Sequence, residues 1–215
     1  MKRLSALLAA TAATCLPVTA EPILVELFAS HNCQACPKAH DTLAEVNSVR
    51  DDVLILTWSV DYWDYLGEAD PMAMPVSAER QSAYVDAFEL RGPYTPQTVY
   101  DGRQQCPGNK PRQVNRALED ASGSTASSGA IITKSEEIGW SVRAPDTGPA
   151  DVFLVQFVAD AEARMGMTNP VTKLDLLAEL PGGGRLLAQP DCDSGCALII
   201  QAPGHGEVFA TQRVH

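Results

Sequence analysis

Residues 22 to 30, PILVELFAS, are almost all apolar, and they run directly into HNCQACPKAH at 31 to 40. The first stretch reads as a buried strand, and Leu43, Val46 and Val49 then recur at helical spacing. Cys33 and Cys36 therefore stand where a strand hands over to a helix. Open α/β sheets place their reactive groups beyond the carboxyl ends of strands, so this junction constrains both the architecture and the chemistry of the chain.

The alternation continues downstream. DVLILTWSV is a nearly continuous β-branched and leucine run, the pattern of a parallel strand covered on both faces. An aromatic segment, DYWDYLGEADPMAMP, leads into a second helical pattern, VSAERQSAYVDAFEL. RGPYTPQTVYDG then reads as turn, strand and turn, and PRQVNRALED as a third helix opened by proline. Strand and helix alternating in this way give an α/β domain over residues 21–120. Residues 121–129, ASGSTASSG, are small and polar and form the expected linker. Beyond them, residues 130–215 change character: AIITK, IGWSVRA, DVFLVQFVAD, RLLAQ, CALIIQA and EVFATQ are short strand-like runs separated by Gly, Pro and Asp. They predict a small antiparallel β domain of sandwich type.

The first twenty residues have the pattern of a removable export signal. Lys2 and Arg3 precede the apolar run LSALLAATAATCL, and small residues end it before Glu21. Cys15 follows Ala12, Ala13 and Thr14, which do not make the usual lipid-attachment pattern. Cleavage after Ala20 takes the net charge from −11 to about −13. So acidic a chain argues against nucleic acid and anionic membranes as partners, and no later apolar run is long enough to span a bilayer. The expectation is a periplasmic or secreted protein with no membrane insertion after signal cleavage. Five cysteines remain from the six in the sequence, so in an oxidising compartment at least one is free or pairs between chains.

At the start of a helix, unpaired backbone N–H groups and the positive end of the macrodipole stabilise a thiolate. Cys33 is placed to be that thiolate, and Cys36, one turn later, to resolve a mixed disulfide. Pro37 costs the first turn little. A Cys-x-x-Cys by itself also suits a structural disulfide or a metal clip. His31 and His40 flank it, and two thiolates with an imidazole would suit Cu(I) or zinc.

Tyr94-Thr95-Pro96-Gln97, sixty residues on and just before a strand, completes a pattern that resembles the thioredoxin fold. By that resemblance Pro96 is a cis-proline facing the dithiol, and Thr95 and Pro96 bind an incoming peptide or thiol. The blocks VELFASHNCQACPKAH, SVDYWDYLGEADP, ERQSAY and LRGPYTPQTVYDG are similar to those of the bacterial secreted thioredoxin-like proteins catalogued as domain of unknown function 1223. The resemblance covers residues 24 to 102. It implies a thioredoxin-like domain and export, while the family's activity is itself poorly defined. The chain departs from the family's usual pattern at His31, Asn32, Lys38, His40 and Ser59, where Gln, Gly, Pro, Asp and His respectively are common.

His31, two residues from Cys33, is the candidate for tuning its pKa: an imidazolium there would stabilise the thiolate and make the disulfide more oxidising. Tyr62 and Trp63 belong to an aromatic lid beside the dithiol and are substrate-binding candidates, with Asp61, Asp64 and Asp70 capping turns around them. Cys192 and Cys196 bracket Asp-Ser-Gly and read as a local structural disulfide, which leaves Cys106 unpaired.

Together these readings describe an exported thiol–disulfide oxidoreductase, a thioredoxin-like α/β domain followed by a small antiparallel β-sandwich-like domain. Its partners would be a protein or a small thiol or disulfide. No dissociable cofactor or metal is required, since the disulfide itself carries two electrons. The β domain could restrict access, form a homodimer or bind the substrate protein. A periplasmic copper chaperone and a non-catalytic binding module with a permanent disulfide remain the alternatives.

Overall fold

The structure, a computed structural model, describes residues 21–123, 128–135, 139–159 and 166–214. The expected signal at 1–20, with Cys15, lies outside them. β1 (Ile23–Ala29) buries all seven of its side chains and pairs in parallel with β2 (Val53–Ser59), from Ile23 opposite Val53 to Ala29 opposite Ser59. A parallel pair needs a crossover, and α1 (Cys36–Val49) supplies it. β3 (Gln97–Tyr100) and β4 (Gln104–Pro107) add antiparallel strands, giving the order β2-β1-β3-β4. Alternation along β1 and β2 divides the sheet into two faces. Val25, Leu27, Ala29 and Ile55 pack with Leu43 of α1 and with Val114 and Leu118 of α3 (Pro111–Gly123).

The opposite face, with Leu24, Phe28, Leu54, Leu56 and Trp58, meets Tyr84 of α2 (Pro75–Ala87) and the β region. That region contains β5 (Ile131–Ser135), β6 (Gly139–Arg143), β7 (Ala150–Phe157), β8 (Val171–Leu180), β9 (Arg185–Ala188), β10 (Gly195–Gln201) and β11 (Val208–Arg213). They form a four-stranded sheet, β11-β10-β7-β8, and a three-stranded one, β5-β6-β9. Phe153, Val155, Ala197 and Ile199 of the four-stranded sheet pack on the first sheet. Their neighbours Val152, Leu154, Leu198 and Ile200 pack on Trp140 and Val142 of the three-stranded sheet. The four-stranded sheet is thus a middle layer covered on both faces, which is why all of β10 is buried.

This layering crosses the expected boundary between an α/β domain over residues 21–120 and a β domain over residues 130–215. Helix α3 runs through Gly123, so the first three residues of the expected linker 121–129 are helical, while 124–127 lie outside the described residues. The two regions share one apolar interior. A buried ion pair of the first region reaches across to the second: Arg80 on α2 meets Glu26 on β1 through Nε at 2.6 Å and Nη2 at 3.0 Å, with both side chains fully buried. The Tyr84 hydroxyl donates to the same carboxylate, and Arg80 Nη2 also donates to Gln201 Oε1 on β10 at 3.0 Å. The guanidinium lies over the Trp58 ring, 5.2 Å from its centre. These bonds offset part of the cost of burying the charges, while Arg80 Nη1 has no partner among the described residues.

Candidate functional site

The site begins where β1 ends. The Ser30 carbonyl accepts the Cys33 N–H at 3.1 Å, and the Cys33 carbonyl accepts the Cys36 N–H at 3.0 Å, so two successive turns carry the chain into α1. Cys33 and Cys36 form a disulfide with Cα atoms 5.4 Å apart. Helix α1 starts at Cys36, placing Cys33 one turn ahead of it. Cys33 is 7% exposed and Cys36 1%, so both are buried and Cys33 is the less so.

Thr95 and Pro96 are joined by a cis peptide bond. The Trp63 indole N–H donates to Thr95 Oγ1 at 2.8 Å, and Trp63 also packs on the apolar cluster that contains both cysteines. The Tyr62 hydroxyl donates to Gln81 Oε1 at 3.0 Å; the Gln81 amide donates in turn to the Tyr94 carbonyl at 2.8 Å and to Gln97 Oε1 at 2.9 Å. Burial pushes the Tyr62 phenol up to about 12, so it remains a donor at neutral pH. Both aromatic candidates are therefore anchored to the segment around Pro96.

His31, the expected tuning residue for Cys33, has its contacts with Asp70 in this disulfide form. Its backbone N–H donates to Asp70 Oδ2 at 2.9 Å, and its Nδ1 lies 3.8 Å from the same oxygen. The imidazole is directed to a carboxylate, and among the described residues it makes no hydrogen bond to either sulfur in this disulfide form. Asp70 also accepts the Met72 N–H at 2.9 Å, and Asp64 accepts that of Asp70 at 3.1 Å. The Asn32 amide donates to the Glu68 carbonyl at 2.8 Å. These bonds stitch the loop after β2 to the cysteine loop. Gly67 is close to that seam: a Cβ there would stand 2.6 Å from Asn32 Oδ1.

A pocket of about 360 Å³ opens on the Cys36 side of the disulfide, lined by Cys36, His31, His40, Ser59, Asp70 and Met167. Ser59, at the end of β2, is 1% exposed, and its hydroxyl has no partner among the described residues. The same holds for His40 Nδ1. Burial lowers the His40 pKa, outweighing the nearby Asp41 and Asp70, so the ring is neutral at neutral pH. Two departures from the family's usual pattern, His40 and Ser59, thus line one pocket. Among the described residues no three His, Cys, Asp or Glu side chains converge as a metal-ligand set.

Cys33 and Cys36 pair with none of the other cysteines, although Cys106 packs against the same apolar cluster. Cys192 and Cys196 form a disulfide with Cα atoms 6.1 Å apart. Cys106, on β4, is unpaired and half-buried, 3.4 Å from Thr98 Oγ1 and 3.6 Å from the Tyr100 hydroxyl. Ser59 and the Glu26–Arg80 pair were not singled out as site residues by sequence. The available signals were a lone acidic residue inside an otherwise apolar strand and the arginine of ERQSAY.

Among functionally curated proteins, none is significantly similar to this chain. Two solved structures are. Protein AGR_C_4864 from Agrobacterium tumefaciens is 25% identical, with a TM-score of 0.70 and a match covering 89% of this chain and 92% of that one. HBP35 of Porphyromonas gingivalis is 11% identical, with a TM-score of 0.57 over 90% of this chain and 74% of that one, a likeness of fold alone. The pattern of the family described as "Protein of unknown function (DUF1223)" matches residues 24–169. With well over half of its length inside that match, the chain belongs to the DUF1223 family, proteins of unknown function.

Proposed function

We propose that the protein is an exported thiol–disulfide oxidoreductase whose residues 21–120 form a thioredoxin-like unit. The observation that carries this reading is the Cys33–Cys36 disulfide at the end of β1 and the start of α1, with Trp63 packed on the same apolar cluster and bonded to Thr95. In the oxidising direction a substrate thiolate attacks Cys33 Sγ, and the Cys33–Cys36 bond breaks with its electron pair on Cys36. The helix N-terminus stabilises that thiolate. A second substrate thiolate then attacks the mixed disulfide, leaving substrate disulfide, two reduced cysteines and the two protons from the substrate thiols. The reducing direction is the same path reversed, with Cys33 as the attacking thiolate and Cys36 resolving.

The greater exposure of Cys33 supports its role as the entry sulfur, and Thr95 and Pro96 would position the partner sulfur. Periplasmic or secreted location, and a protein or small-thiol partner, belong to the same proposal. Equilibration with glutathione or dithiothreitol, read by thiol alkylation, tests it. A potential between about −120 and −270 mV is that of a working dithiol, whereas one well below about −300 mV marks a structural bridge and overturns the reading.

A further inference from the structure

We infer that the knuckle formed by Tyr65 and Leu66 is the docking surface for the redox partner, and that this partner is an extended polypeptide with apolar and basic residues beside its cysteine. The inference rests on the oxidoreductase reading for its role in turnover, while the docking surface is argued on its own geometry.

Tyr65 is 76% exposed and Leu66 57%. Both lie on a short helical turn, Asp64–Leu66, in the loop after β2. A single exposed leucine is ordinary, but these two continue a patch. The Tyr65 ring lies 6.1 Å from that of half-buried Trp63, and Trp63 packs on the cluster that holds Cys33 and Cys36. The far side of the knuckle abuts the cysteine loop. Asn32, the residue before Cys33, donates from its amide to the Glu68 carbonyl at 2.8 Å, and a Cβ at Gly67 would stand 2.6 Å from Asn32 Oδ1.

The frame under the knuckle is fixed. The Asp64 N–H donates to the Asp61 carbonyl and the Leu66 N–H to that of Trp63, each at 2.9 Å. The Trp63 indole is bonded to Thr95 and the Asp64 carboxylate to the Asp70 N–H. Apolar side chains presented on such a frame have little backbone freedom to lose on binding.

Size and charge select the occupant. A small thiol reaching Cys33 leaves Tyr65 and Leu66 in water, whereas a chain flanking the reacting cysteine covers them and gains their burial. Between Asp61 and Asp70 the loop carries four carboxylates and no lysine, arginine or histidine, and Asp61 and Glu68 are exposed. That rim draws basic side chains and repels anionic thiols such as glutathione. A second copy of this chain, of net charge −11, would set like charge against it. Once docked, the partner's thiolate attacks Cys33 Sγ, and the electron pair of the Cys33–Cys36 bond leaves on Cys36.

Two measurements test the inference. The peptide Lys-Leu-Ser-Phe-Lys, which cannot exchange, is titrated into the oxidised protein while the Trp63 indole N–H is followed by NMR. A saturable shift is expected, weakened about fivefold or more in the double variant Tyr65→Ser/Leu66→Ser, and likewise when glutamates replace the peptide's lysines. No saturable shift, or affinity unchanged in the double variant, overturns the docking surface; equal affinity for the glutamate peptide overturns the charge assignment. Should the double variant lose its circular dichroism spectrum, Leu66→Ser alone decides. In the second measurement Lys-Leu-Cys-Phe-Lys and glutathione reduce the Cys33–Cys36 bond, with rates normalised to thiolate concentration. The peptide is expected to be about tenfold faster at low salt, an advantage lost in the double variant. Parity with glutathione, or an advantage that survives, overturns the coupling of docking to turnover. If the disulfide resists every thiol, the oxidoreductase reading fails while the peptide titration still judges the surface. A parent dimer in sedimentation that becomes monomeric in the double variant assigns the patch to a second copy and overturns the inference.

Discussion

The Trp63 indole donates to the Thr95 hydroxyl at 2.8 Å, and this single bond ties the loop after β2 to the residue preceding Pro96. Trp63→Phe keeps much of the aromatic packing and removes the donor, so it should cost about 1 kcal/mol in urea unfolding. Thr95→Val should cost a similar amount. In the double variant the losses should fall short of additive, because both remove one interaction; full additivity would show that the bond contributes nothing.

Glu26 and Arg80 should behave as a unit. Glu26→Gln or Arg80→Met leaves a buried charge without its partner and is expected to cost roughly 3–5 kcal/mol. Glu26→Leu combined with Arg80→Met should recover much of that loss in chemical denaturation. A double variant no better than the worse single one would contradict this account.

Two groups make stability depend on pH in opposite senses. Burial, aided by Glu26 and Glu207, raises Asp101 to about 6. With its folded pKa above the unfolded value, it contributes stability below about pH 4 that is lost as pH rises through 6. Asp101→Asn retains an acceptor for the Leu24 N–H, tolerates the positive φ of 45° and should gain on the order of 2 kcal/mol at pH 7. Denaturant midpoints at pH 4 and pH 7 measure the difference, and an unchanged pH 7 midpoint counts against it.

His205 works the other way. Burial, with Arg80 nearby, lowers it to about 4. Its contribution is present above about pH 6.5 and disappears as pH falls through 4. His205→Asn suits the left-handed backbone there, φ 59°, and should flatten the acid limb of the stability profile between pH 6.5 and 4. An acid limb as steep as the parent's would assign that loss of stability to other groups.

The Cys192–Cys196 bridge closes a short loop onto the start of β10. Replacing both residues by serine should lower stability by about 2 kcal/mol through the freed loop entropy of the unfolded chain, with a further penalty for a polar hydroxyl at the fully buried Cys196. Thermal melts under non-reducing conditions measure both.

The order of the first elements was legible because each carries its own period: PILVELFAS and DVLILTWSV as buried runs, the helices through their apolar spacing. The four-residue strand β4 was missed, since Gln104, Gln105, Cys106 and Pro107 carry no strand pattern. β8 was also missed. Its pairing with β7 skips Thr172 and Leu177, and such bulges break the alternation that identifies a strand. The stacking of the middle sheet was hidden for another reason: β7 and β10 show apolar runs in sequence, but nothing local says which partner covers the second face. At the site, the cysteine pair and YTPQ were visible as motifs. The Ser59–His40–Asp70 pocket was not, because it joins a strand end, a helix face and a loop that meet only in three dimensions.

The covered middle sheet has an evolutionary consequence. Cutting the chain after α3 would strip Leu24, Phe28, Leu54, Leu56 and Trp58 of their cover and leave Arg80 without Gln201. The dithiol-bearing part is therefore no interchangeable bead on a string. Exon-like shuffling onto another scaffold would expose its inner wall to water, a cost that favours inheritance of the two regions together.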